Sequence, residues 1–188
     1  VEDVLAAVPH RHWVFTVPIA LRGLFERERT LLGLLGRSAY DAVRLCCEQL
    51  FERKDVRPGC ILSLQTFGSF ANFNPHAHCL ITEGVFTLEG EFLALPSLDS
   101  KTVVEVFRRL LLVRLHRAEW RAPCGARGLS ESFMRRLLSW SPSGFSVFAE
   151  QLVSAHDTQR LERLARYMTR APQRLDAIER HGQRHVRV

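Results

Sequence analysis

One stretch of the sequence is NFNPHAHCLITEGVF, which covers Asn72–Phe86. Its apolar residues predict a buried β-strand, and in a strand successive side chains point to opposite faces of the sheet. His76 and His78 then share one face, while Ala77 lies on the other. Two imidazoles on one face can bind one small ion together. A strand edge can also carry two exposed histidines without any function, so a metal site requires further ligands.

The preceding segment predicts a partner for this strand. Cys60–Phe67 has the sequence CILSLQTF, and the connection to the histidine strand is short, so the two should pair as an antiparallel hairpin. Gln65 is the one long oxygen donor that the partner would place on the histidine face. Two imidazoles and an amide oxygen, with coordination positions left open, suit Mg²⁺ or Mn²⁺. Glu83 and Asn74 are alternatives for the third ligand.

The rest of the chain mixes strands and helices. His12–Pro18, HWVFTVP, predicts a strand, and Leu24–Lys54 has helical periodicity that we divide into two helices around Gly33 and Gly36. Further helices are predicted over Thr102–Arg117, Leu129–Trp140 and Thr158–Arg170, with Ser130 and Asp157 as N-caps. This order of elements predicts an α+β fold with an antiparallel sheet.

The last of these helices contains the second candidate site. Its apolar stripe consists of Leu161, Leu164, Ala165 and Met168, and Tyr167 lies beside the stripe. Four arginines occur along the same segment: Arg160, Arg163, Arg166 and Arg170. A phenol has a pKa of about 10 and is a poor nucleophile when neutral, whereas adjacent cations favour the phenolate and bind a phosphate. The alternative is a tyrosine at the rim of the core beside a solvated arginine face.

Composition limits the setting in which these sites would act. The formal net charge is +6, and the excess comes from arginine, which suits phosphate groups and indicates a polyanionic partner. Five cysteines without a CxxC pair indicate a reducing, cytoplasmic compartment. No apolar run predicts a membrane span. The first residue is Val rather than Met, and we expect the chain to be a fragment.

Together the two sites predict one reaction. A divalent ion at His76 and His78 would polarise a scissile phosphate. Tyr167 would attack that phosphate, which leaves a covalent phosphotyrosine and a free DNA 3′-hydroxyl. The phosphodiester energy would be conserved in that bond, so rejoining would need no ATP.

The segment NPHAHCLITEGVF resembles the His-hydrophobe-His segment of HUH endonucleases. More specifically, four segments resemble those of rolling-circle insertion-sequence transposases, the group that includes the ISCR elements. They are HWVFTVP, LQTFGSFANFNPHAHCLITEGVF, WSPSGFSVFAE and DTQRLERLARYMTRAPQRLDAIER, and they occur in the order found in that family. The resemblance implies a ferredoxin-like or RRM-like sheet, a Mg²⁺ or Mn²⁺ requirement and single-stranded DNA as substrate. It also implies that His76 and His78 bind the metal and that Tyr167 is the nucleophile. Gln65 rests on the hairpin argument alone.

The chain also departs from the family pattern. Arg163 stands where some relatives carry an additional tyrosine, which implies an enzyme with one tyrosine. We expect residues 1–188 to form a single nuclease domain that lacks the N-terminal zinc-binding region and the C-terminal extension of relatives. The alternative function is a catalytically inactive remnant that binds single-stranded nucleic acid, stacking bases on Phe67, Phe70 and Phe73.

Overall fold

The computed structural model describes residues 5–68, 72–96, 98–118, 128–150 and 152–169, and the backbone of 179–181 and 185–187. Its strands are β1 (His10–Thr16), β2 (Cys60–Phe67), β3 (Phe73–Thr82), β4 (Gly84–Phe86), β5 (Phe92–Ala94), β6 (Ser146–Ala149), β7 (Glu179–His181) and β8 (His185–Arg187). Its α-helices are α1 (Ile19–Arg27), α2 (Leu32–Leu50), α3 (Ser100–Arg117), α4 (Glu131–Ser139) and α5 (Thr158–Thr169).

Four strands form the central sheet in the order β2-β3-β1-β6, and every neighbouring pair is antiparallel. Along the chain these strands and their connecting helices follow the βαββαβ order of a ferredoxin-like fold. The predicted α+β class and the predicted hairpin of β2 with β3 are therefore confirmed. Two-stranded sheets are formed by β4 with β5 and by β7 with β8. Among the described residues, every helix is too short or too polar to span a lipid bilayer.

One face of the central sheet is covered by α2 and α3. Strand side chains on this face, such as Phe15 and Ala77, are fully buried, as are Leu35 on α2 and Phe107 on α3. The ring of Phe107 lies edge-on to Phe15, with centroids 5.1 Å apart. This apolar layer is the main hydrophobic core, and it holds β1 and β3 in the middle of the sheet.

The division between the first two helices differs from the prediction. The helix break falls at a short 3₁₀ turn, Arg29–Leu31, and not at Gly33 or Gly36, which both lie within α2. Glu28 stabilises the turn, because its carboxylate accepts a hydrogen bond from the backbone N–H of Thr30. Gly36 instead permits close packing, since a Cβ at that position would lie 3.1 Å from a methyl group of Leu62 on β2.

The opposite face of the sheet is packed by α5. A small apolar cluster joins Leu161 and Met168 of the helix to Leu80 of β3 and to Val153. The N-terminus of α5 is capped as predicted, because the Asp157 carboxylate accepts from the backbone N–H of Arg160 at 3.0 Å. The Ser130 hydroxyl likewise caps α4. Helix α5 is thereby fixed over the same face of the sheet that carries the histidines of β3.

Candidate active site

The two histidines of β3 lie side by side on the face covered by α5. His76 is paired with Gln65 of β2 and His78 with Ser63, so all four side chains share this face. The imidazole centroids of His76 and His78 are 4.8 Å apart, and both residues are buried. Nδ1 of His76 lies 2.7 Å from the backbone carbonyl oxygen of Asn74. Because a carbonyl only accepts, Nδ1 donates this hydrogen bond, and in the neutral ring the lone pair is therefore on Nε2 of His76.

A third histidine, His12 on β1, completes the group. Its Nε2 lies 2.9 Å from Nδ1 of His78, and the two rings are within 11° of parallel with centroids 5.1 Å apart. These values describe an edge-to-edge hydrogen bond in the plane of the rings. On the other side of His12, Nδ1 lies 3.1 Å from the carboxylate of Glu150. This contact is at ion-pair distance but does not reach hydrogen-bond geometry.

Burial keeps His78 neutral. Its removal from water, followed by the neighbouring imidazoles of His76 and His12, lowers the pKa of His78 to about 4. His78 is therefore uncharged near neutral pH, which is the state in which an imidazole can bind a metal.

Side-chain atoms without hydrogen-bond partners on this face are of the types that bind divalent cations. Among the described residues, Nε2 of His78 and the side-chain oxygen of Asn74 are buried without a hydrogen-bond partner. An imidazole lone pair and an amide oxygen are both metal-binding groups, and an unpaired polar atom is costly to bury. Within the same described residues, no three His, Cys, Asp or Glu side chains group as metal ligands. A site here would therefore require an amide or substrate oxygen besides His76 and His78.

The candidate third ligands differ in their surroundings. Nε2 of Gln65 donates a hydrogen bond to the backbone carbonyl of Met168 at 3.2 Å. The side-chain oxygen of Gln65 is not used in this bond and could bind a metal. Glu83 binds Arg11 with both carboxylate oxygens, at 2.7 and 2.9 Å. Glu83 is thus engaged elsewhere, while Gln65 and Asn74 remain on the histidine face. The metal-binding roles of His76, His78 and Gln65 stay predictions.

Tyr167 lies directly over the histidines. Its ring stands edge-on to His78, with centroids 5.5 Å apart, and edge-on to His12 at 6.2 Å. The next carbonyl along the helix, that of Met168, accepts hydrogen bonds from Ser63 at 2.7 Å and from Gln65. These contacts anchor the end of α5 to β2. Tyr167 is 46% exposed, so it is open to solvent on the side away from the histidines.

The arginines predicted to contact DNA are not equivalent. Arg163 is exposed and Arg160 is half-buried. Arg166 is exposed but forms an ion pair with Glu162, at 2.6 Å, one helical turn earlier. Arg170 lies outside the described residues. Of the four, Arg163 is the exposed guanidinium that precedes Tyr167 by one helical turn, and the DNA-binding role of all four stays a prediction.

Sequence reasoning missed His12 and Glu150. A signal for His12 was present, because HRH at residues 10–12 begins the first strand and places His10 and His12 on one face by the same alternation that was applied to His76 and His78. No comparable signal marks Glu150, which reaches His12 only because β6 pairs with β1.

Comparisons with known proteins bear on this arrangement. Residues 59–187 match the Y2_Tnp family, which is described as "Putative transposase". The chain is also similar to the transposase for insertion sequence element IS801 of Pseudomonas savastanoi pv. phaseolicola, with 35% identity over 82 residues. Those residues make up 44% of this chain and 19% of that relative. No solved structure matches the chain. Because the family match covers more than half of its length, the chain belongs to this transposase family.

Proposed function

We propose that the chain is the nuclease part of a DNA transposase that nicks and rejoins single-stranded DNA through a covalent 5′-phosphotyrosine at Tyr167. The observation that carries this proposal is the packing of Tyr167 against His78, with ring centroids 5.5 Å apart. The phenolic side chain and an unpaired imidazole nitrogen then lie on the same face of the sheet, with Tyr167 exposed and His78 buried beneath it. Membership of the transposase family and the likeness to the IS801 transposase support DNA as the substrate.

The proposed step is a transesterification. The Tyr167 oxygen forms a bond to phosphorus, and the bond from phosphorus to the 3′-oxygen of the preceding nucleotide breaks. The phenolic proton leaves to solvent, and the departing 3′-oxygen takes up a proton. One phosphodiester replaces another, so the step needs neither ATP nor a redox partner. Attack by a DNA 3′-hydroxyl on the phosphotyrosine reverses it and rejoins the strand.

Binding and orientation come from the chain's own residues. His76 and His78, with Gln65 or Asn74, would hold Mg²⁺ or Mn²⁺, which when bound supplies charge stabilisation at the scissile phosphate. Arg163, together with Arg160, Arg166 and Arg170, would contact phosphates along the strand. Ser63 and Gln65 keep Tyr167 in position, because their hydrogen bonds to Met168 restrict the end of α5.

The test is formation of a covalent adduct. The protein is incubated with a labelled pool of single-stranded oligonucleotides and Mn²⁺, and the products are separated on a denaturing gel. We expect a protein–DNA band that disappears in Tyr167→Phe and on addition of EDTA. Tyr40→Phe is the matched control, because Tyr40 is the only other tyrosine in the chain and lies on α2. Its variant should form the adduct at the wild-type level.

Two outcomes would contradict the proposal. An adduct that persists in Tyr167→Phe would assign the nucleophile to another residue. Oligonucleotide binding on a native gel, without any adduct, would favour the inactive binding remnant. Phe67, which is exposed at the end of β2 and lies edge-on to Phe73, would then be a candidate for base stacking, while Phe70 lies outside the described residues.

A further inference from the structure

Side chains from β1, from β3 and from the residue that follows β6 form a continuous line of contacts behind the candidate metal site. The carboxylate of Glu150 lies 3.1 Å from Nδ1 of His12, and Nε2 of His12 lies 2.9 Å from Nδ1 of His78. The line ends at Nε2 of His78, which is buried and has no hydrogen-bond partner among the described residues. Each end of the line is therefore chemically defined: a carboxylate at one end and an unpaired imidazole nitrogen at the other.

The line determines which ring nitrogens carry protons. A neutral imidazole has one N–H and one lone pair, and a carboxylate can only accept. At 3.1 Å the carboxylate of Glu150 attracts an N–H and repels a lone pair, which favours the proton of a neutral His12 on Nδ1 and leaves Nε2 of His12 as an acceptor. Nδ1 of His78 must then donate to it, so Nε2 of His78 carries the lone pair.

The reverse arrangement is disfavoured at both ends. If Nε2 of His12 donated to His78, the lone pair of His12 Nδ1 would face the carboxylate of Glu150. The proton of His78 would then lie on Nε2, where the described residues offer no acceptor for it. A buried N–H without an acceptor is costly. The unpaired N–H of His78 and the repulsion between His12 and Glu150 both disfavour this arrangement.

We propose that His12, oriented by Glu150, is a positioning residue that holds His78 in the tautomer whose Nε2 is free to bind a metal. The inference rests on the proposed function in one respect, namely the metal that His78 would bind. Partners of this kind fix the ring orientation and tautomer of metal-binding histidines in many proteins, and their loss costs about 10–100-fold in metal affinity.

The backbone around Glu150 is fixed independently of its side chain. The N–H of Glu150 donates to the carbonyl oxygen of His12 at 2.9 Å, and Arg11 donates to the carbonyl oxygen of Glu150 at 2.9 Å. Arg11 is itself held by Glu83. Because these contacts use backbone atoms of Glu150, Glu150→Gln changes the charge beside His12 while leaving the position of the chain unchanged.

The test measures the tautomer of His78 in the metal-free protein and the affinity for Mn²⁺. Long-range ¹H–¹⁵N spectra distinguish protonated from bare ring nitrogens, and comparison with His78→Gln assigns the His78 signals. We expect the wild-type protein to have a protonated Nδ1 and a bare Nε2 at His78. In His12→Ala, His78 should become a mixture of tautomers, and calorimetry should give an affinity for Mn²⁺ lower by about 10–100-fold. Glu150→Gln should produce a smaller change in the same direction.

His10→Ala is the matched control. His10 is a buried histidine on the same strand and the same face as His12, two residues away, and does not belong to the line of contacts. Its loss should leave both the tautomer of His78 and the affinity for Mn²⁺ unchanged. If His12→Ala fails to fold, Glu150→Gln decides the question, since Glu150 is only half-buried.

The possible results separate this inference from the proposed function. A bare Nδ1 at His78 in the wild-type protein, or an unchanged tautomer in both variants, would overturn the positioning role. If His12→Ala abolished Mn²⁺ binding as fully as His78→Gln while Glu150→Gln had no effect, His12 would be a ligand instead, which also overturns it. A third result is that the wild-type protein binds no Mn²⁺, while His78 still becomes a mixture of tautomers in His12→Ala. The positioning role would then be supported, and the metal-dependent step of the proposed function would be contradicted.

Discussion

Ala77 and His78 are adjacent in sequence, yet they lie on opposite faces of the sheet in two different environments. Ala77 is fully buried between Phe15 of β1 and Leu64 of β2, beneath α2 and α3. His78 is also buried, but its neighbours are His12, His76 and Tyr167. One face is a continuous apolar layer, and the other combines a small apolar cluster with polar side chains.

The two faces therefore have different roles: one stabilises the fold, and the other carries the candidate active site. Burial of apolar area stabilises the fold at about 25 cal/mol per Å², and most of that area lies on the side of α2 and α3. The histidine face contributes less in this way, since buried imidazoles stabilise the fold only when they are hydrogen-bonded. The sheet can therefore place unpaired donor atoms such as Nε2 of His78 on one face while the other maintains the fold.

The largest effect is expected from Phe107→Ala on the apolar face. Phe107 is fully buried and packs edge-on to both Phe15 and Phe145. Removing the ring should lower the free energy of unfolding by about 3–5 kcal/mol, through lost burial and the cavity that remains. Urea unfolding followed by circular dichroism measures this directly. A loss below about 1 kcal/mol would mean that the layer between the sheet and α3 is not the main core.

Ala77→Leu should reduce stability without changing the site. The extra methyl groups would enter a fully packed layer, at a cost of about 1–3 kcal/mol. Because Ala77 points away from the histidines, the affinity for Mn²⁺ should equal that of the wild-type protein below the unfolding transition. Calorimetry and thermal unfolding on the same sample separate the two quantities. A tenfold loss of Mn²⁺ affinity would show that the two faces are coupled.

His76→Ala, in contrast to Ala77→Leu, should lower the affinity for Mn²⁺ and have little effect on stability. The affinity for Mn²⁺ should fall at least about tenfold, which corresponds to about 1.4 kcal/mol. The metal-free protein should lose no more than about 1 kcal/mol of unfolding free energy, the worth of the hydrogen bond from His76 to the Asn74 carbonyl. His156→Ala is the control, since His156 is an exposed histidine in a loop. An unchanged Mn²⁺ titration in His76→Ala would contradict the ligand role.

The sequence predicted those features that depend on local periodicity. Alternation placed His76 and His78 on one face, and the short connection predicted the hairpin that pairs Gln65 with His76. The helical stripe identified the buried side of α5, including Leu161 and Met168. In each case the period of the element and a neighbour close in sequence were sufficient.

Features that depend on distant pairing could not be predicted in this way. His12 meets His78 across 66 residues, and nothing local specifies that β1 lies between β3 and β6. The same limit applies to the face of the sheet on which α5 packs. The helix break was misplaced for a different reason: glycine within a helix costs only about 1 kcal/mol, so Gly33 and Gly36 did not end it, whereas the Glu28 carboxylate stabilises a turn nearby.

The smallest effect is expected from Glu162→Gln on the exposed side of α5. Glu162 pairs with Arg166 at 2.6 Å, and both side chains are largely exposed, so losing the pair should cost only about 0.3–0.5 kcal/mol of stability. The released guanidinium of Arg166 becomes available to a phosphate. Fluorescence anisotropy with a single-stranded oligonucleotide should therefore show tighter binding and a salt dependence steeper by about 0.7 in log–log slope, the value for one further phosphate contact. Glu131→Gln is the matched control, because Glu131 forms an equivalent exposed pair with Arg135 on α4. If both variants steepened the slope equally, the effect would come from net charge alone, and the arginines of α5 would not be the surface that binds DNA.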